Sequence, residues 1–377
     1  MAGSRINRGL SLRERRFFAL LRSGIWNTVP ERDIFSGEVD WNEIYQLAAA
    51  QAVVGHVTDG INHLPSELMP EAEELDPFLG DMMGTEKRNH QLNSFIPFLF
   101  KALHDIPVVL IKGQGVALDY PEPNRRQPGD IDLLLQPSDY DAAKEILVPK
   151  ATVVGKEMRP IYHQGLFYRS IEVEIHGSIQ TLMSPSLDRA LALLQNEMFA
   201  SRDFSEVEIG GSIVQVPNAG FNAIYILVHF LHHYWSSGVG LRQLLDWTIF
   251  ISSHKRDIDP ILLEERLEKL GLKRIWQTFA GFVHEYLGCP SEKLPLWTDK
   301  YSSAYGYIWK YLLKSGNFGK NHPRERKDEP YLIRKIHSFF LQVVYDRLRH
   351  FPEFPRESIR YFGGAFRYGL GRLAQGE

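Results

Sequence analysis

The sequence predicts an α+β protein in which a small sheet-bearing unit is embedded in a mainly helical chain. Three observations carry this reading. Short β-branched or alternating apolar runs, bounded by Gly, Pro and Ser, are concentrated between residues 106 and 175. Helical stretches with an apolar side flank that segment on both ends. The 377 residues are 44% hydrophobic, 12% aromatic and 24% charged, which supplies surface for a core and excludes disorder as the main state. Cys289 is the only cysteine, so an intrachain disulfide and cysteine-rich zinc sites are excluded, in keeping with a reducing compartment.

Residues 10–21 read as a helix capped by Ser11, with Phe17, Phe18, Leu20 and Leu21 clustered on one side. Residues 41–50 are helical by composition, and 78–103 form a third helix with a kink expected at Pro97. The run 106–111 (IPVVLI) has no polar face and reads as a buried strand. Gly113 and Gly115 follow, then a short helical piece to Tyr120 and a loop, PEPNRRQPG, over 121–129. Residues 130–135 (DIDLLL) form a second strand. Ser138 is then expected to cap a helix through Ile146, with Asp139 and Asp141 in its first turn. Runs 165–169 and 171–175 suggest a hairpin turning near Ser170. These pieces make a compact α/β or α+β unit.

A second hairpin is signalled over 206–216 around Gly210-Gly211. Helices are expected at 221–235, 240–252 and 261–270, and in the tail at 307–314 and 331–349. The segments divide as an N-terminal helical part (1–100), a catalytic unit (101–185), an accessory hairpin with helices (186–290) and a basic helical end (291–377). The most apolar window, 221–231, is about half as long as a spanning helix and contains Asn222 and His229, so no membrane partner is expected. Residues 1–16 are basic and polar, unlike a signal peptide, and a cytoplasmic location follows as the expectation. The net charge is −3, but residues 301–377 hold 14 Lys/Arg against 7 Asp/Glu. That asymmetry fits an anionic partner or, more simply, pairing of the tail with the acidic body.

The chemistry concentrates in the segment from Lys112 to Leu135. Residues i and i+2 of a strand share a face, so Asp130 and Asp132 project together while Ile131 and Leu133 enter a core. Two carboxylates on one face repel each other unless a cation lies between them, and an oxygen-only ligand set suits Mg²⁺ or Mn²⁺. In IEVEIHG, Glu172, Glu174 and His176 likewise share a face. If that strand lies beside the DID strand, Glu174 or Glu172 completes a three-carboxylate cluster able to hold two metals. The Gly113 turn lets backbone N–H groups approach a phosphate, and Lys112, Arg125 and Arg126 add positive charge.

This ordered set resembles the nucleotidyltransferases of the DNA polymerase β superfamily. It is most similar to a bacterial branch of uncharacterised members, in which Leu-Lys-Gly is followed by Arg-x-x-Gly-Asp-Ile-Asp-Leu-Leu-Val. Here those motifs stand as Ile111-Lys112-Gly113 and Arg126 to Leu135, with Glu174-Ile175-His176-Gly177 and Gly240 to Trp247 (GLRQLLDW) as further points of likeness. The resemblance implies a small mixed-sheet, polymerase-β-like palm holding two Mg²⁺. It also implies transfer of a nucleoside monophosphate from a nucleoside triphosphate to an acceptor hydroxyl, with release of pyrophosphate. By the same likeness Asp130, Asp132 and Glu174 are the metal-binding and catalytic acids, Glu174 being best placed to draw the acceptor proton. Lys112, Gly113, Gln114 and Arg126 fall to the nucleotide. One departure is Gly113-Gln114, where the superfamily has Gly-Ser or Gly-Gly. The acceptor class stays open among a sugar, a peptide, a protein and an RNA end. A degenerate, non-catalytic palm and a toxin acting on tRNA or protein are the alternatives.

Outside this segment, His229 and His233 are i,i+4 on one helix, but Phe230 stands where a zinc protease has Glu. Packing near the site is the simpler reading of them. Arg242 and Asp246 share a helix face opposite Leu241, Leu244, Leu245 and Thr248. Arg242 is expected to reach the nucleotide from the helical side, held by Asp246.

Overall fold

The computed structural model describes residues 9–236, 238–317 and 340–374. The N-terminal layer is helical. Helix α1 (Leu12–Trp26) starts in a capping box, with Ser11 Oγ accepting from the Glu14 amide and Glu14 accepting from the Ser11 amide. Helix α2 (Trp41–Ala50) follows, then α3 (Val54–Asn62), which has no clear polar face in sequence because nearly all of it is buried. Helices α1 and α3 cross at two glycines: a Cβ on Gly24 would overlap His56 O, and one on Gly60 would overlap Leu20 O. Helix α4 (Ala72–Ala102) runs 31 residues and contains both Pro77 and Pro97.

The sheet has five strands in the order β1-β2-β5-β4-β3. These are β1 (Val108–Ile111), β2 (Ile131–Leu135), β3 (Val153–Val154), β4 (His163–Tyr168) and β5 (Ile171–His176). The β1–β2, β3–β4 and β4–β5 pairs are antiparallel, and β2–β5 is parallel, so the sheet is mixed. Helix α5 (Gly113–Ala117) links β1 towards β2, and α6 (Tyr140–Leu147) follows β2. The residue before α6 is Asp139, with no side-chain cap bond, so the cap expected from Ser138 is not formed.

Both faces of the sheet are covered, which is why β1 reads as an unbroken apolar run and β2 as one broken only by Asp132. Val108, Leu110, Ile131, Leu133, Leu135, Val173 and Ile175 share one core with α4, α6 and the hairpin β6 (Phe204–Ile209) and β7 (Ser212–Pro217). Gly210 and Gly211 make that hairpin turn at φ 60° and 76°, the left-handed pair a two-residue turn requires. Val109, Ile111 and Leu134 point the other way, into a larger core shared with the helices. Those helices are α7 (Pro185–Ser201), α8 (Ala219–Tyr234), α9 (Leu241–Ser253), α10 (Pro260–Leu270), α11 (Lys273–Leu287) and α12 (Tyr305–Ser315).

A π-helical turn (Phe340–Tyr345) and α13 (Pro355–Ala374) close the described chain. The helix expected at 331–349 lies, up to residue 339, outside the described residues. Two arginines of the tail are used internally. Arg349 donates to the carbonyls of Tyr234 and Ser236, and Arg360 donates to Leu270 O, Ser184 and Ser186. Among the described residues no helix is long and apolar enough to cross a membrane.

Candidate active site

The site lies where β2 and β5 run parallel. Their register sets Asp132 level with Glu174, and the alternation that buries Ile131, Leu133, Val173 and Ile175 turns both carboxylates to the opposite face. Asp130 stands just before β2. One carboxylate oxygen from each of Asp130, Asp132 and Glu174 falls within 4.8 Å of the others. Glu172 is on the same strand face but outside this cluster. Burial first and Asp132 second push the Asp130 carboxyl up to about 6, against the pull of Lys112.

Lys112 comes from the end of β1, whose last residue Ile111 is paired with Asp132. Its backbone is left-handed in φ, at 57°, and Gly113 follows at 42°. A non-glycine residue in such a conformation costs about 1–3 kcal/mol, and the strain sits beside the carboxylates. The Lys112 ammonium lies 2.8 Å from Asp132 Oδ1 and 3.4 Å from His229 Nδ1. Burial alone would lower it, but Asp132 overrides burial and holds it above an ordinary lysine. His176 Nε2 is 2.8 Å from the same Asp132 oxygen and 3.2 Å from Glu174 Oε2, and His163 Nε2 is 3.2 Å from Glu174 Oε2. Burial opposes ionisation of Glu174, yet the hydrogen bonds from His163 and His176 win and hold it far below the carboxylate range.

The opposite wall is helical. Arg126 forks onto Asp246, Nε to Oδ1 at 2.7 Å and Nη2 to Oδ2 at 2.8 Å, and Tyr120 donates to Asp246 Oδ1 at 2.9 Å. Arg126 Nη1 is buried with no hydrogen-bond partner. Asn89 ties the arginine's loop to α4 by donating to the carbonyls of Asn124 and Arg126. Arg242 opens α9 and donates from Nη1 to Gln127 O at 2.9 Å. Burial and the neighbouring Arg126 lower it to about 10, which leaves it charged at neutral pH. A cavity of about 180 Å³ is lined by Lys112, Gly113, Arg126, Asp130, Asp132, Glu174, His229, His233, Arg242 and Asp246, among others.

Of the residues read from sequence, Lys112, Gly113, Arg126, Asp130, Asp132, Glu174 and Arg242 line this cavity, whereas Gln114, Glu172 and Arg125 do not, Arg125 pairing with Asp59 and Glu86 instead. Gln114 is buried, and its amide donates to Asn93 Oδ1 at 2.6 Å, on the α4 side. Asp246 accepts from Arg126 and Tyr120 and also favours the charge of Arg242, which in addition bonds to the Gln127 carbonyl. Every residue of α9 from Leu241 to Ile251 is buried. Sequence reasoning missed His163 and Tyr120. The two-residue turn at Arg169-Ser170 implies the register that places His163 opposite His176, so the first of them was legible. Cys289 is buried, its thiol pushed up to about 12 by burial, and plays no part in the site.

A mixed sheet that carries level carboxylates at one face, with lysine and arginine around them, defines a palm of the nucleotidyl-transfer class. The chain belongs to a family of uncharacterised nucleotidyltransferases, whose family model matches residues 37–288 and so includes every residue of this cavity. No curated protein and no solved structure matches the chain.

Proposed function

We propose that the protein is a metal-dependent nucleotidyltransferase, moving a nucleoside monophosphate from a nucleoside triphosphate to an acceptor hydroxyl. The observation that carries this is the cluster of Asp130, Asp132 and Glu174 in one cavity with Lys112, Arg126 and Arg242. The donor set fits two Mg²⁺ or Mn²⁺: it is all oxygen, it is compact, and its mutual repulsion is visible in Asp130. When bound, such ions would neutralise charge on the phosphates and activate the attacking hydroxyl.

The chain's own groups do the rest. Arg126 offers its partnerless Nη1, and Arg242 adds a second guanidinium on the same wall, so the cavity presents fixed positive charge to a triphosphate. Gly113 leaves room for backbone approach. Lys112 neutralises Asp132 and lies within reach of a phosphate oxygen. In the transfer, the acceptor oxygen bonds to the α-phosphorus, the bond to the bridging β-oxygen breaks, and pyrophosphate leaves with that electron pair. Glu174 is the acid best placed to draw the acceptor proton, directly or through a bound metal, and His163 and His176 orient its carboxylate. Gln114 supports the turn from behind.

The test is incubation with each α-labelled nucleoside triphosphate, Mg²⁺ and a cell extract, followed by identification of the molecules that gain label. Labelling of a sugar, peptide, protein or RNA end names the acceptor. Mg²⁺-dependent nucleotide binding without label transfer would assign the degenerate, nucleotide-binding alternative. Absence of both would overturn the reading.

A further inference from the structure

The carboxylate cluster is not the only convergence of ligand atoms on this sheet. His163 and His176 are directly opposed across the β4–β5 ladder, and Glu174 stands two residues before His176 on the same face. Their rings are 4.8 Å apart. Gly165, the residue opposite Glu174, contributes no side chain, and a Cβ there would meet nothing nearer than Glu172 at 4.0 Å. Room is therefore left beside the carboxylate. The trio opens on a second cavity of about 310 Å³ that adjoins the first across Lys112, Glu174, His229 and His233, and His232 also lines it.

We propose that His163, His176 and Glu174 form a separate binding site for a borderline divalent ion of the Zn²⁺ or Co²⁺ type, with Glu174 bridging it to the carboxylate cluster. The geometry is that of a ligand set. Metal bonds of about 2.1 Å at tetrahedral or octahedral angles set neighbouring ligand atoms about 3.0–3.4 Å apart. Both imidazole Nε2 atoms are 3.2 Å from Glu174 Oε2, and one ligand atom from each residue lies within 4.8 Å of the other two. Two nitrogens and one oxygen select against Mg²⁺, which takes oxygen ligands, and in favour of ions that accept imidazole. The inference goes beyond nucleotidyl transfer and meets that reading at Glu174 and at His176, whose Nε2 is also 2.8 Å from Asp132 Oδ1.

Co²⁺ titration of the full-length protein, followed by visible absorption, tests it directly. Imidazole ligation should shift the d–d bands of Co²⁺ away from those of the aqua ion in the wild type, and intensify them if the site is four-coordinate. His163→Gln and His176→Gln should each weaken Co²⁺ binding at least tenfold, whereas Asp130→Asn should keep the shifted bands. Circular dichroism of each variant checks folding, and Mg²⁺-dependent nucleotide binding is measured on the same preparations. Shifted bands that survive both histidine changes, or that vanish with Asp130→Asn alone, would overturn the site. So would a wild type without shifted bands, since the same contacts would then be simple hydrogen bonds from the imidazoles to Glu174. Shifted Co²⁺ bands without nucleotide binding would instead count against nucleotidyl transfer and leave this site standing.

Discussion

The aspartates of the Asp-Ile-Asp run are inequivalent once folded. Asp132 is buried between Lys112 and His176, whereas no ion pair to Asp130 is found among the described residues. Asparagine at either position should abolish transfer, but stability should separate them. Asp132→Asn leaves the Lys112 ammonium buried without its partner, a loss of about 3–5 kcal/mol. Asp130→Asn removes a carboxylate that burial and Asp132 already disfavour, so the metal-free protein should be as stable as the wild type or more so. Urea unfolding of the two variants without divalent ions measures this, and equal midpoints would refute the pairing. On β5, Glu174→Gln should lower turnover more than it weakens nucleotide binding. Glu172→Gln should be mild, because Glu172 lies outside the cluster; an equal loss would mean that both acids serve the site.

Elements hold the site through contacts that a single substitution can break. The crossing of α1 and α3 depends on Gly60, whose missing Cβ admits the Leu20 carbonyl. Gly60→Ala should force the helices apart and destabilise the protein by about 1–3 kcal/mol, seen as a lower Tm. The far end of α9 is tied to the loop after α5 by His254, 2.9 Å from Asp119 and 3.3 Å from Asp257. The Asp119 hydrogen bond, opposed by burial, raises the imidazole above its ordinary value. A histidine raised by folding stabilises fully below its unfolded value of about 6.5 and loses that contribution as pH rises through its folded value. The stability advantage of the wild type over His254→Gln should therefore be greatest near pH 6 or below and shrink above it. Denaturant midpoints at several pH values report this, and a constant difference would exclude the pair.

At the scale of the molecule, the cavity is a joint between sheet and helices. Strands β1, β2 and β5 bring the acids and Lys112, and α9 brings Arg242 and Asp246 from more than 60 residues further along the chain. If Arg242 meets the triphosphate, Arg242→Ala should raise the KM for nucleotide about ten- to hundredfold, the value of a hydrogen bond to a charged group, with a smaller change in kcat. Asp246→Ala should act differently from a mere release of Arg242, because it frees the Arg126 fork and the Tyr120 hydroxyl. Its cost should appear in stability as well as in KM. An unchanged KM in both variants would place the nucleotide elsewhere.

Local pattern was enough to read β1, β2, β4 and β5, because β1 is apolar on both sides, β2 is broken only by Asp132 and β5 alternates, whereas the two-residue β3 was missed. It was also enough for the Ser11 cap and the Gly210-Gly211 turn, whose chemistry lies within a few residues. The acids, Lys112 and Arg126 were legible for the same reason: strand spacing puts Asp130 with Asp132, and Glu174 with His176. Helices α3, α7 and α11 were missed, since burial on most sides or an ambiguous mixture of residues removes the polar face that marks a helix. The partners were beyond local reading. Asp246 forks with an arginine 120 positions away, besides favouring the charge of the one four positions away on its own helix, because the arrival of the β1–β2 loop on α9 offers a buried bidentate geometry. Gln114 turns to Asn93 because α4 passes behind α5. Sequence spacing determines which side chains can share a face, whereas the packing of sheet against helices decides which face meets which.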